Sequence, residues 1–237
     1  MSGDPAIRPF ATACEGLAAE MALLDAVAQG RAPASAVLWQ ADAPGLVLPE
    51  RFTRIDAFAA AAARSAAAGW PVTGRRTGGG ITPQGPGVLN LAMVFRVAPG
   101  KTRGIRDSYG VICDPLAEAF AALGVETTAA PVAGSFCDGD YNLAVAGRKL
   151  VGTAQRWRGR SCLAHALILT DIALAPAVAA AQRLSDTLGL GQRFRLQAHC
   201  RLADLAAARP DVTAACAAQV WQALGRRGFA RWTGAAG

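Results

Sequence analysis

The residue in this sequence whose presence most needs a reason is Lys149. The chain carries 24 basic side chains, and Lys101 and Lys149 are the only lysines among them. Arginine fills every other basic position, so a surviving lysine points to a task arginine does not perform, such as setting a compact ammonium in a narrow pocket. Lys101 sits in Pro99-Gly100-Lys101-Thr102-Arg103, which reads as a solvated turn. Lys149 sits in Gly147-Arg148-Lys149-Leu150-Val151-Gly152-Thr153-Ala154-Gln155, where small residues after the cation leave room for a ligand to reach it.

A second stretch, Gly74-Arg75-Arg76-Thr77-Gly78-Gly79-Gly80, has a different vocabulary. Its glycines let backbone N–H groups approach a ligand, and its arginines supply charge for a carboxylate or phosphate. No Gly-Lys-Ser/Thr closes it, and it is not a dinucleotide fingerprint before a helix. A glycine triplet between strands is also the mark of a sharp turn or bulge, so both readings stay open. Six cysteines stand at 14, 113, 137, 162, 200 and 216 without a CxxC pair, and there are two histidines. That spacing argues against a zinc finger or ribbon and for reduced thiols, most of them core residues. Cys137, in Gly134-Ser135-Phe136-Cys137-Asp138-Gly139-Asp140, is the first candidate for a reactive thiol and Cys162 a weaker one. His165 and His199 read as structural hydrogen-bonding residues.

These groups need elements to position them. Residues 10–29 predict a helix with Leu17, Met21, Leu24 and Val27 on one stripe and Gly30 as its stop. Residues 36–48 read as strand–turn–strand about Asp42-Ala43-Pro44-Gly45. Helices are expected over 54–68, 108–123, 176–188 and 212–225. Strands are expected from 70, over 88–97 and over 164–172, with a hairpin of 141–145 and 150–156. Helices mixed with antiparallel hairpins predict an α+β fold, with a mixed, largely antiparallel sheet and flanking helices.

With 237 residues, 52% apolar and 17% charged, the chain can bury a core, which excludes intrinsic disorder. The length predicts a single domain over 1–237, or a domain plus a short appendage. The first residues lack a secretory pattern, and the apolar stretch 163–181 is broken by His165, Asp171 and Pro176, so a cytoplasmic protein without a membrane span is expected. The net charge of +7 invites a nucleic-acid reading, but the arginines are scattered and aromatics are 6% of residues. The cluster over 148–160 reads as a solvated strand edge or loop. An anionic small ligand or an acidic protein suits the charge better than nucleic acid.

Taken together, the two motifs resemble the lipoate–protein ligase A and octanoyltransferase superfamily, whose catalytic domain is related to that of biotin protein ligases. Arg75, Thr77, Gly78, Gly79 and Gly80 match its Arg-x-Ser/Thr-Gly-Gly-Gly loop. Gly147, Lys149, Gly152, Thr153 and Ala154 match its later Gly-x-Lys-x-x-Gly-Ser/Thr-Ala hairpin. The resemblance spans about residues 10–205 and implies a biotin/lipoate protein ligase-like fold. It implies transfer of a lipoyl or octanoyl group to a lysine of an acidic lipoyl carrier domain. Lys149 would then hydrogen-bond the acyl carbonyl, stabilising charge that grows in the transition state. The glycine loop, with Asn90 and Asn142, would hold substrate or nucleotide, and Leu89, Leu91 and Val94 would wall a tunnel for the acyl chain.

The resemblance implies two chemistries. A ligase would use ATP and magnesium to adenylate lipoate or octanoate, and this is the leading expectation. A transferase would need no such cofactor, taking octanoyl from acyl carrier protein through a thioester on Cys137, with Lys149 favouring the thiolate. The sequence departs from the ligase pattern in three ways. Gln84 replaces a histidine, and Asn142 replaces an acidic residue seven positions before the lysine, with Asp138 and Asp140 as neighbouring substitutes. The accessory C-terminal domain of long ligases is expected to be absent, and no metal-ligand set is assigned. A non-catalytic member binding acyl or nucleotide ligands is the third reading.

Overall fold

The computed structural model describes residues 6–98, 104–207 and 210–234, so Lys101 and its expected turn lie outside them. Strands β1 (Arg8–Phe10), β2 (Ser35–Ala41), β6 (Val88–Arg96), β10 (Ser161–Leu169), β9 (Arg148–Arg158), β8 (Leu143–Val145) and β7 (Thr128–Ala129) lie side by side in that order, with β11 (Ala230–Arg231) also along β2. Adjacent pairs are antiparallel except β1 and β11 against β2. A smaller sheet sets β3 (Gly45–Pro49) between β4 (Val72–Arg75) and β5 (Thr82–Gln84). The helices are α1 (Ala13–Ala28), α2 (Phe58–Ala67), α3 (Ile105–Ala121), α4 (Leu174–Thr187) and α5 (Val212–Arg226). This is the expected α+β architecture.

Local chemistry sets the element ends. Thr12 Oγ1 accepts the Glu15 N–H at 3.4 Å while the Glu15 carboxylate accepts the N–H of Ala11 at 3.1 Å, a reciprocal cap that starts α1. Gly30, at φ +74°, ends it. The expected start at Phe10 is too early, because Phe10 belongs to β1 and pairs with Ala41. The core stripe of α1 is also rotated: Leu23, Leu24 and Val27 are buried, whereas Leu17 and Met21 are half-buried beside a cleft. Upstream of α2, residues 50–54 form a 3-10 turn rather than the start of the helix.

The two strands expected over 36–48 exist but do not pair. β2 is buried along almost its whole length and is flanked by β6 and β1, whereas β3 belongs to the smaller sheet. Strand alternation in β6 then decides what lies on each side of the main sheet. Leu89, Leu91 and Met93 pack with Ile112, Leu116 and Phe120 of α3 and Val220 and Leu224 of α5. Ala92 and Val94 face the opposite way, toward Leu23, Leu24 and Val27 of α1. Leu89, Leu91 and Val94 are therefore core residues rather than tunnel walls, and Asn90 is the β6 side chain at the cavity described below. The arginine cluster runs along β9, whose outer half extends past its last pairing with β8; Arg156 and Arg160 donate to the carbonyls of Arg76 and Val97. That is the solvated strand edge expected of it. Among the described residues, no helix is long and apolar enough to cross a membrane.

Candidate active site

Lys149 stands near the start of β9, with 1% of its surface exposed. Its ammonium donates to the carbonyl of Phe136 and, at 2.8 Å, to that of Cys137. Burial pulls its pKa down to about 8, with Arg75 pulling the same way and Cys137 and Asp138 opposing. The glycine three residues on has a direct role. A Cβ at Gly152 would lie 2.9 Å from both Cε and Nζ of Lys149, so a side chain there would displace the ammonium.

The segment facing Lys149 is held from several directions. Ser135 N–H donates to Val132 O at 3.0 Å, and Arg195 N–H donates to Gly134 O at 2.8 Å. Phe136 N–H donates to His199 Nε2 at 2.9 Å, while His199 Nδ1–H donates to the Arg195 carbonyl at 3.0 Å. Burial, and then the Lys149 charge, lower the His199 pKa to about 4, which keeps this ring a neutral acceptor. Cys137 adopts φ +49°, a left-handed conformation uncommon for a residue with a Cβ. Asp138 Oδ1 accepts from Val132 N, Gly139 N and Asn142 Nδ2 at 2.7, 2.9 and 3.0 Å.

The glycine loop closes on the same point. Arg75 is 5% exposed, and its guanidinium donates to the carbonyls of Val47, Gly78 and Gly80 and to Thr82 Oγ1. Its Nη2 also stands 3.6 Å from Cys137 Sγ. The cation bonded to this sulfur is therefore Arg75; Lys149, expected to serve the thiol, holds the carbonyl of the same residue instead. Gly79, at φ +102°, leaves space for the sulfur: a Cβ there would come within 2.1 Å of Sγ. Cys162 is buried, with burial pushing its thiol up to about 12, and lies in the core packed against α3 and α5.

A narrow, mainly apolar cavity brings most of the expected residues together. Arg75, Asn90, Cys137, Lys149, Gly152, Thr153 and Ala154 line it, with Val47, Leu167 and Leu169 supplying apolar wall. Asn90 and Gln84 satisfy each other across it through reciprocal amide bonds of 2.9 and 2.8 Å. Thr77 lines an adjoining open cleft of about 780 Å³, and Leu17, Glu20, Arg75 and His165 border both spaces. Gly78 and Gly80 contribute carbonyls to Arg75 rather than cavity surface. Asn142 is buried behind the 134–140 segment, and Gly147 is the φ +73° turn of the hairpin with open space around it.

Two cavity residues escape a reading of the sequence. Glu20 is 2% exposed and bonded to Trp39 Nε1 at 2.9 Å and His165 Nδ1 at 2.8 Å. His165 Nε2 stands 3.1 Å from Thr77 Oγ1, so this histidine borders the site instead of serving only the core. The available signal was a carboxylate three residues after Leu17 on the inward side of α1.

The sequence pattern of the lipoyl protein ligase A/B catalytic domain matches residues 12–202. The chain belongs to that family. An uncharacterized protein of Cupriavidus necator is 38% identical over 226 residues, covering 87% of this chain and 88% of that one. The octanoyl-[GcvH]:protein N-octanoyltransferase of Kyrpidia tusciae is 41% identical over 92 residues, which is 38% of this chain and 31% of the enzyme. This chain thus aligns with less than two thirds of that enzyme's length. Among solved structures, lipoate-protein ligase A bound with ATP superposes with a TM-score of 0.71 at 14% identity, covering 95% of this chain and 85% of the other. The bi-partite lipoate protein ligase of Thermoplasma acidophilum gives 0.66 at 14%, covering 96% and 86%. These likenesses establish the fold, and the family match makes this chain an enzyme of the lipoate ligase and octanoyltransferase superfamily.

Proposed function

We propose that this chain is an octanoyl or lipoyl transferase that carries the acyl group as a thioester on Cys137 and delivers it to a lysine of an acidic lipoyl carrier domain. The observation that carries this reading is the pairing of Cys137 Sγ with the buried Arg75 guanidinium at 3.6 Å, beside an ammonium that also faces the cavity. The thiolate is the attacking species, and the guanidinium faces the sulfur on which that charge would sit. The thiolate attacks the donor acyl carbonyl, the C–S bond forms and the donor's leaving group departs. Lys149 has three N–H donors and gives two to the Phe136 and Cys137 carbonyls. The third serves the oxyanion that develops on the acyl carbonyl. The activity of the Kyrpidia tusciae relative suggests octanoyl-GcvH as a donor, beside octanoyl-acyl carrier protein.

The ligase alternative needs a site for ATP and magnesium. The open cleft has the volume and the arginines Arg31, Arg75 and Arg76 for phosphate groups. The hard anionic donors fit poorly. Asn142 is a neutral amide, Asp138 spends one oxygen on three N–H donors, and Glu50 in the cleft pairs with Arg76 at 3.4 Å. Among the described residues, no group of three His, Cys, Asp or Glu could hold a metal ion. No step is therefore assigned to ATP.

The donor assay separates the two chemistries. Apo carrier domain is mixed with the enzyme and octanoate plus Mg-ATP, octanoyl-acyl carrier protein, or octanoyl-GcvH, and intact mass is followed. The thioester reading expects acylation from one of the carrier donors and a matching mass on the enzyme that Cys137→Ser abolishes. Acylation confined to the ATP reaction and undiminished in Cys137→Ser would establish the ligase instead.

A further inference from the structure

Glu20, His165 and Thr77 form a hydrogen-bonded line at the junction of the cleft and the cavity, and the thioester step above gives them no task. Glu20 Oε1 accepts from Trp39 Nε1–H at 2.9 Å, and Oε2 meets His165 Nδ1 at 2.8 Å. A carboxylate can only accept, so Nδ1 carries a proton, and in the base form of the ring the Nε2 lone pair faces the Thr77 hydroxyl 3.1 Å away. The carboxylate is nearly sealed, with its side chain 3% exposed against 14% for the histidine. A buried carboxylate is costly to keep in the fold, and apolar packing would be a better source of stability here.

Among the described residues, His165 is the imidazole at this junction, and the groups around it offer no other nitrogen base. Glu20 faces it from α1, and Arg75 borders both spaces from β4. Cys137 and Lys149 close the cavity from the 134–140 segment and β9. The strands on either side place Ala92 and Ala154 opposite His165, so neither adds a charge. Lys149 has its own commitments to two carbonyls, and Arg75 stays protonated.

We propose that Thr77 and His165 deprotonate the carrier lysine as it attacks the acyl-enzyme, with Glu20 as the residue that positions His165. This rests on the thioester reading. The incoming lysine arrives as an ammonium, which is not a nucleophile. One of its protons passes to the Thr77 oxygen while the Thr77 proton moves to His165 Nε2, and the imidazolium is held by the Glu20 carboxylate. The neutral amine then attacks the acyl carbonyl: the C–N bond forms, the C–S bond breaks, and the electron pair returns to sulfur beside Arg75. The second nitrogen proton leaves with the sulfur as thiol, and His165 releases the first to water in the open cleft. Loading from a thioester donor needs no such base, since its leaving group is a thiolate, whereas every exchange with a carrier lysine passes through His165.

The half-reactions are measured apart on the full chain. Acyl-enzyme is formed with a thioester donor (octanoyl-acyl carrier protein or a small octanoyl thioester), because loading from octanoyl-GcvH is the reverse of transfer and uses the same groups. It is separated and then mixed with apo carrier domain while intact mass is followed. In His165→Asn, Glu20→Gln and Thr77→Val, transfer is expected to fall about 10²-fold more than loading, the usual scale of general-base catalysis. Thr77→Val removes one hydroxyl and leaves the Glu20–His165 pair in place, so it serves if the other two variants fold poorly. Thr77→Ser is expected to restore transfer. The deficit should shrink as pH rises and the carrier lysine loses its proton unaided, and should vanish with hydroxylamine, an acceptor already neutral at the assay pH. Transfer slowed equally for hydroxylamine and carrier lysine, or not slowed at all, would overturn the proposal alone. A wild-type enzyme that never gains acyl mass on Cys137 would sink the thioester reading, and this proposal with it.

Discussion

Holding an ammonium at 1% exposure costs stability, and the cost is measurable because it depends on pH. Burial lowers Lys149 from its ordinary 10.5 to about 8. At about 1.4 kcal/mol per unit, that displacement corresponds to about 3 kcal/mol of penalty while the lysine is charged. The sign follows from proton counting. Between about pH 8 and pH 10.5 the unfolded chain holds a proton that the folded chain has released, so stability rises with pH through that window. Below about pH 8 the full penalty applies. Lys149→Met fills the site without a charge and should lack this rise. The assay is urea unfolding of both proteins across a pH series from about 7 upward, with the difference in unfolding free energy as the readout. Cys113 and Cys200, whose thiols burial raises to about 11 without any part played by Lys149, titrate in both proteins and cancel in the difference. Carrying both proteins on a Cys137→Ser background removes the thiol that Lys149 touches electrostatically. The wild type should gain on the variant by about 2 kcal/mol by roughly pH 9.5, about three fifths of the full shift. A difference that stays constant with pH would refute a buried, charged Lys149.

Three further outcomes follow from the geometry. Gly79→Ala puts a Cβ within 2.1 Å of the Cys137 sulfur at φ +102°, so enzyme acylation should drop more than about 100-fold by intact mass and stability by about 1–3 kcal/mol in urea. Gly152→Ala moves only the tip of the Lys149 side chain, so turnover should fall at least about tenfold while the urea midpoint shifts by less than about 1 kcal/mol equivalent. His199, lowered to about 4, is neutral in the fold where the unfolded chain already binds a proton. Stability should therefore be lost as pH falls from about 6.5 toward 4, by up to about 3 kcal/mol. The difference between wild type and His199→Asn across an acid unfolding series reads this directly; a flat difference would contradict it.

How much of the fold was legible depends on how local its causes are. The helix that starts at Thr12, the apolar run of β6 and the hairpin around Gly147 announce themselves through caps, alternation and turn glycines, all interactions within a few residues. The short strands β1, β5, β7 and β11 do not, because two or three residues become a strand only when a distant neighbour supplies the ladder. The same holds for β2 and β3, which look like one hairpin and join different sheets.

The site divides along the same line. Composition made Lys149 conspicuous, since a lysine surviving among arginines keeps its chemical distinctness in any conformation. The glycines of both motifs were visible too, because close approach demands the missing Cβ. Which cation meets the Cys137 sulfur was not readable, for Arg75 lies 62 residues away and its place depends on how the smaller sheet packs. Nor was the line from Glu20 to His165, which spans 145 residues. The sequence by itself determined which groups are chemically able to act. The tertiary structure decided which of them meet, because hydrogen bonds and charge–charge contacts act over a few ångströms in space and take no account of distance along the chain.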